Sequence, residues 1–167
     1  MVAEVRMEYT RNEKLEEVAR IAVRLEAETG LPAQLLIAQW ALESKWGQQP
    51  AGQANFFGIK KADRHAKCCT VTTHEVVKGR TVVVDLEFAD YDSLEDSCGD
   101  YAWLITHGAP YREAWAQYQL DKNVHNLVSR IAHIYATDLQ YGQLVTRIAE
   151  QSNVAQAICE ARAKVPA

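Results

Sequence analysis

One stretch limits the fold more than any other: "TVTTHEVV", then "KGR", then "TVVVDLEF", running from residue 70 to 88. Two β-branched runs around a central glycine predict a hairpin, and nothing else in the 167 residues gives a comparable strand signal. The remainder must therefore build its core from helices. The expectation is an α+β chain, predominantly α, forming a single domain over residues 1–167 with a small β-hairpin lobe at about 70–88.

The helical periodicity supports that outline. Leu15, Val18, Ala19, Ala22 and Leu25 recur at three- and four-residue spacing with Gly30 behind them, which predicts an amphipathic helix over 12–29. Pro32 suits the first turn of a second helix, which Gly47 can end. Residues 48–69, with their glycines, Pro50 and Asn55, read as a long irregular connection, the kind of segment that often carries function. Ser93, three residues before Asp96, resembles a capping box for a helix that Gly108 terminates. Val124, Leu127, Val128, Ile131 and Ile134 then form one stripe, and Leu144, Val145 and Ile148 another. There is no internal repeat.

Charge and sorting signals exclude several classes. The net charge is −4 and the lysines and arginines are scattered, so no basic stripe offers a nucleic acid its footprint. No run is long or apolar enough to span a bilayer, and the N-terminal residues lack the apolar segment of a secretion signal. Synthesis in the cytoplasm and a monomer are expected, with Cys68, Cys69, Cys98 and Cys159 as reduced thiols.

The residue that raises a chemical question is Glu43, in "ALESKWG". At 100° per residue it falls about 80° from the apolar direction shared by Leu35, Ala38, Leu42 and Trp46. Trp40 and Trp46 flank it. A carboxyl at such a border loses hydration, its pKa rises, and it stays protonated long enough to serve as an acid near neutral pH. The plainer reading is a solvated glutamate paired with Arg20 or Lys45.

Five blocks in order, "GLPAQLLIAQWALESKWG", "NFFGIKK", "TTHEVVKG", "FADYDSLEDSCGDYAWLI" and "YATDLQYGQLVTRIA", resemble the flagellar muramidase-type glucosaminidases of glycoside hydrolase family 73. They span residues 30 to about 149. The resemblance implies a lysozyme-like fold, with a cleft between the helical body and the hairpin lobe, and cleavage of the β-1,4 bond after N-acetylglucosamine in peptidoglycan. It implies that Glu43 is the general acid. Glu75, in "TTHE", matches a second family carboxylate that activates water from the opposite face, unless the substrate's own 2-acetamido group is the nucleophile. Tyr135 matches a family tyrosine at the active site, with Tyr141 the nearby alternative. Asn55 and Gly58 match positions lining the cleft, and Trp46, Phe57, Tyr91 and Tyr101 are further candidates for sugar contact.

The chain departs from the family in having Trp40 where a small residue is usual, and Cys68–Cys69 where a tryptophan-containing stretch is common. His65, Cys68, Cys69 and His74 lie within ten positions, yet adjacent cysteines rarely face one metal and no C-x2-C spacing is present. Acid–base hydrolysis with neither metal nor cofactor is expected. The expected partner is the peptidoglycan glycan strand, in the periplasm or outside the cell, reached through phage release or a secretion machine. Two other functions remain on these residues: a lytic transglycosylase, for which "TTHE" and "YATD" are unfavourable, and a silent glycan-binding or scaffold protein.

Overall fold

A helix that is apolar on every side organises the molecule. Its sequence, "AQLLIAQWALE", carries no charge before its last residue, and Ala33, Leu35 to Ala41 are all buried. In the computed structural model, which describes the backbone of residues 2–136 and 138–166 and the side chains from 13 onward within those bounds, this helix is α2 (Ala33–Glu43), preceded by α1 (Val2–Thr29). The expected apolar stripe with Glu43 at its edge does not exist. A helix packed on by α1, α3 (Leu94–His107), α6 (Leu139–Ala149) and α7 (Ser152–Ala163) needs no polar face.

The boundaries differ from expectation in two places. α1 starts at Val2 rather than at residue 12, since no glycine or proline interrupts those residues. α2 stops at Glu43, before Gly47, and Pro32 is the residue preceding it rather than part of its first turn. Ser44 ends it: the Ser44 hydroxyl donates to the Trp40 carbonyl at 2.5 Å and accepts from the Gly47 N–H at 2.8 Å.

The hairpin forms as read, from β1 (Cys68–Val77) and β2 (Arg80–Ala89), antiparallel and in register from Cys68–Ala89 to Val77–Arg80. Its loop is Lys78–Gly79, with φ of 49° and 76°, the left-handed pair that two-residue hairpin turns require. Among the described residues, the backbone bonds that tie it to the body are at its base. Ala89 N–H donates to the Ile59 carbonyl at 2.9 Å, and Lys61 N–H to the Glu87 carbonyl at 3.1 Å. Toward the tip Val76 and Val83 are 73% and 65% exposed.

Ser93 caps α3 by accepting from Asp96 N–H, as expected. A short 3-10 turn (Ala109–Tyr111), α4 (Arg112–Asp121) and α5 (Val124–Tyr135) follow. Leu127, Val128, Ile131 and Val145 are buried, but Ile134 and Leu144 are 39% and 41% exposed, so those two lie outside the core. Among the described residues no helix is long and apolar enough to cross a membrane.

Candidate active site

Glu43 occupies the last position of α2, where the chain leaves the core. The three residues after Ser44, Lys45, Trp46 and Gly47, all have left-handed backbone, with φ of 49°, 59° and 79°. Two of them are not glycine, a cost of about 1–2 kcal/mol each for an L-residue. What holds the turn is a set of bonds around Trp40. Trp46 N–H reaches the Ala41 carbonyl at 2.8 Å, Gln48 and Gln49 N–H both donate to Ser44 O, and the Lys14 ammonium donates to Gly47 O at 2.9 Å. A β-carbon on residue 47 would lie 2.7 Å from the Trp40 ring, so the glycine is required by space as well as by φ. Trp46 turns its ring edge-on to Trp40 at 6.2 Å and packs against the core.

The Glu43 carboxyl is partly buried and among the described residues makes no ion pair; neither Arg20 nor Lys45 reaches it. Burial raises its pKa above the ordinary value of 4.5, and a hydrogen bond from Tyr141 pulls it partly back. The other carboxyl oxygen faces Gly58, whose φ is +63° and where a β-carbon would come within 3.1 Å of it.

That tyrosine is the end of a chain with a direction. Tyr101 is fully buried and its hydroxyl donates to the side-chain carbonyl of Gln39, itself fully buried. The amide is thereby turned so that its NH2 donates to the Tyr141 oxygen at 2.9 Å. Tyr141, already accepting, points its proton at Glu43. Tyr135 stacks parallel to Tyr141 at 6.4 Å, and its hydroxyl donates to the Phe57 carbonyl. Burial raises the pKa of both phenols, so they remain neutral donors.

Three of the residues expected to touch sugar do not reach the surface. Tyr101 and Phe57 are 0% exposed and stack on each other at 4.4 Å; they form the floor beneath the site. Asn55 is 1% exposed with its amide fully used: it donates to Ile59 O and Ala89 O at 2.9 and 2.8 Å and accepts from Phe57 and Ile59 N–H. It ties the loop that carries Gly58 to the base of the hairpin. Tyr91 is partly buried and spends its hydroxyl on Asp100 at 2.5 Å. Asp100 also takes a two-pronged bond from Arg64 and one from His65, which hold its carboxyl below the usual range against burial.

Glu75 sits seven ladder positions beyond the Cys68–Ala89 base pair, exposed, on the same face as Cys69, Val71 and Thr73. Of the other candidate ligand group, His65 is engaged at both ring nitrogens, by Ala62 N–H and Asp100, and Cys68 and Cys69 fall on opposite faces of β1. Gln39 and Tyr111 are not singled out by the sequence, and Ser44 is marked there only as the serine after Glu43 that lytic transglycosylases share. Gln39 had one signal, an amide four residues before Glu43 in an otherwise apolar helix.

Gly58 and Tyr135 also line an open cleft of about 380 Å³ whose walls include Lys60, Lys61, Arg64 and Tyr111. A groove of about 540 Å³ between α5 and α6, lined by His125, Arg147 and Glu150 among others, contains none of the Glu43 cluster. A carboxyl whose pKa is raised by burial, with a neighbouring glycine leaving room for a ligand, is suited to proton exchange with an oxygen bound in the adjacent cleft.

The profile of the family described as mannosyl-glycoprotein endo-beta-N-acetylglucosaminidase matches residues 19–154. A probable N-acetylmuramidase of Lactococcus lactis subsp. cremoris is 31% identical over 152 residues, covering 84% of this chain and 33% of its own. A peptidoglycan hydrolase FlgJ of Pseudomonas aeruginosa is 33% identical over 139 residues, covering 79% of this chain and 34% of its own. The chain thus spans about a third of the length of the curated relatives it matches. Among solved structures, the C-terminally truncated glycoside hydrolase domain of Salmonella typhimurium FlgJ is similar with a TM-score of 0.66 at 26% identity, covering 84% of this chain and 96% of that one. A peptidoglycan hydrolase mutant from Sphingomonas sp. A1 gives 0.71 at 25% identity, covering 89% and 99%.

Proposed function

The chain belongs to the endo-β-N-acetylglucosaminidase family, glycoside hydrolase family 73, and from that premise we propose that it hydrolyses peptidoglycan at the β-1,4 bond between N-acetylglucosamine and N-acetylmuramic acid, with Glu43 as general acid. The observation that carries this reading is the partly buried Glu43 carboxyl, its pKa raised by burial, beside Gly58 and the cleft. The substrate named for the FlgJ relatives supports it.

Protonated Glu43 gives its proton to the glycosidic oxygen as the C1–O bond breaks. The carbonyl oxygen of the substrate's 2-acetamido group attacks C1 and closes a ring; water then opens it, returning a proton to the Glu43 carboxylate. Glu75 is the alternative partner, but a water-activating base needs the two carboxyls roughly 6.5–9.5 Å apart. Seven ladder steps place Glu75 about 23 Å along the strands from the hairpin's base. Its direct use requires an arm curled over the cleft, whereas the acetamido route asks nothing of the arm. Tyr141 and Tyr135 steady Glu43 and the inner wall of the cleft.

Digestion of purified peptidoglycan, with reduced muropeptides identified by mass spectrometry, tests the reading. Reducible N-acetylglucosamine ends are expected, with Glu43→Gln lowering the rate by about 10³ or more and Glu75→Gln by less than about tenfold. Nuclear magnetic resonance of the fresh product should show retained anomeric configuration. Muramic acid ends would assign the neighbouring bond, the one named for the Lactococcus relative. Anhydro ends would mean a transglycosylase, and wall binding without products a scaffold.

A further inference from the structure

The charged side chains lining the cleft beside Glu43 are all cationic, in a chain whose net charge is −4. Lys60, Lys61 and Arg64 form part of its wall and no acidic residue does. Arg64 is already satisfied, bound to Asp100 and lying 4.6 Å over the Trp103 ring. The two lysines are not: both are exposed, and among the described residues neither takes part in an ion pair. Their backbone is nonetheless firmly placed, because Lys60 bridges to Phe88 and Lys61 N–H donates to Glu87 O, both at the base of the hairpin. Both lysines line the cleft, so an anion entering it meets two positive charges.

A neutral polymer of N-acetylglucosamine offers no such anion. A strand in which every second sugar is a muramyl unit offers one per repeat, either on the lactyl ether itself or on a peptide attached to it. We propose that Lys60 and Lys61 form a carboxylate-binding site that selects muramyl-containing strands over neutral N-acetylglucosamine polymers. The assignment rests on the peptidoglycan reading above and names the feature of the substrate that this end of the cleft recognises. An endo-β-N-acetylglucosaminidase needs some such feature, because the sugar on one side of its bond is shared by chitin.

The experiment compares three probes of equal sugar count: chitin oligosaccharides, peptide-free muramyl strands, and strands carrying peptide stems. Binding to the Glu43→Gln protein is measured calorimetrically, with and without Lys60→Gln and Lys61→Gln added. Muramyl strands should bind about tenfold more tightly than chitin oligosaccharides at low salt, two exposed ion pairs being worth about that much. The ratio should fall toward one in the lysine variant, and also in about 1 M salt, where screening is nearly complete. A preference already present for peptide-free strands identifies the lactyl carboxylate, and one confined to peptide-bearing strands identifies the stem. Equal affinity for all three, or a ratio that survives both the substitutions and the salt, would overturn the assignment. Cleavage by the wild type, followed in parallel, separates the two levels. Cleavage without a charge preference sinks the lysine site alone, and absence of both binding and cleavage sinks the hydrolase reading with it.

Discussion

Glu43 has its acidity set by two opposed effects, burial pushing its pKa up and the Tyr141 hydroxyl pulling it down. The second depends on residues that never meet substrate. Replacing Tyr101 with Phe removes the proton that fixes the Gln39 amide, which is then free to turn its carbonyl toward Tyr141 and take the proton now aimed at Glu43. The carboxylate loses a donor, so its pKa rises further. Since Glu43 acts in its protonated form, activity falls as pH rises through that value. The alkaline limb of the rate profile should therefore move up by roughly one unit in Tyr101→Phe. An unmoved limb in a folded variant would show that the chain stops short of Glu43. This dependence was not legible beforehand. A tyrosine near a carbohydrate site suggests stacking on sugar, and only burial reveals that Tyr101, Phe57 and Asn55 serve from beneath.

At the scale of elements, legibility followed how local the determining physics was. The hairpin was readable because alternation and a Lys–Gly turn are properties of neighbours in sequence. The end of α2 was not, because it depends on Ser44 folding back on Trp40 and on Trp40 filling the space that only a glycine at 47 leaves open. The irregular segment after it looked structureless in sequence, yet its backbone is held by side chains: Asp90 accepts from Gln53 and Ala54 N–H, Ser97 from Phe56 N–H, and Asn55 bonds on both sides of Gly58. Asn55→Ala should leave two buried N–H groups, of Phe57 and Ile59, without partners. The expected cost is about 3 kcal/mol, a fall of roughly 6–12 °C in thermal midpoint. A fall under about 2 °C would mean that the Ile59–Ala89 backbone bond alone suffices to hold the loop.

For the molecule as a whole, the site and the stability of the fold pull in opposite directions. The folded state raises the Glu43 pKa, so it binds that proton more tightly than the unfolded chain does. Its contribution favours folding at pH below the unfolded carboxyl's pKa and is lost as pH rises through the folded value. Glu43→Gln should therefore raise the thermal midpoint at pH 7, by about 2–4 °C for each kcal/mol of desolvation relieved, and raise it much less at pH 4. A midpoint that falls at pH 7 would identify Glu43 as a structural group. The other whole-molecule feature is the arm. Beyond the base, where Lys60 bridges to Phe88, each of its ten-residue strands keeps one edge without a strand partner among the described residues, and Val76, Val77 and Val83 lie bare near the tip, on either side of Lys78 and Arg80. To a colloid chemist this is a particle with one adhesive end and a like-charged guard on it. Crowded solutions should stay clear at low ionic strength and turn cloudy as added electrolyte screens the guard, long before the helical body is disturbed.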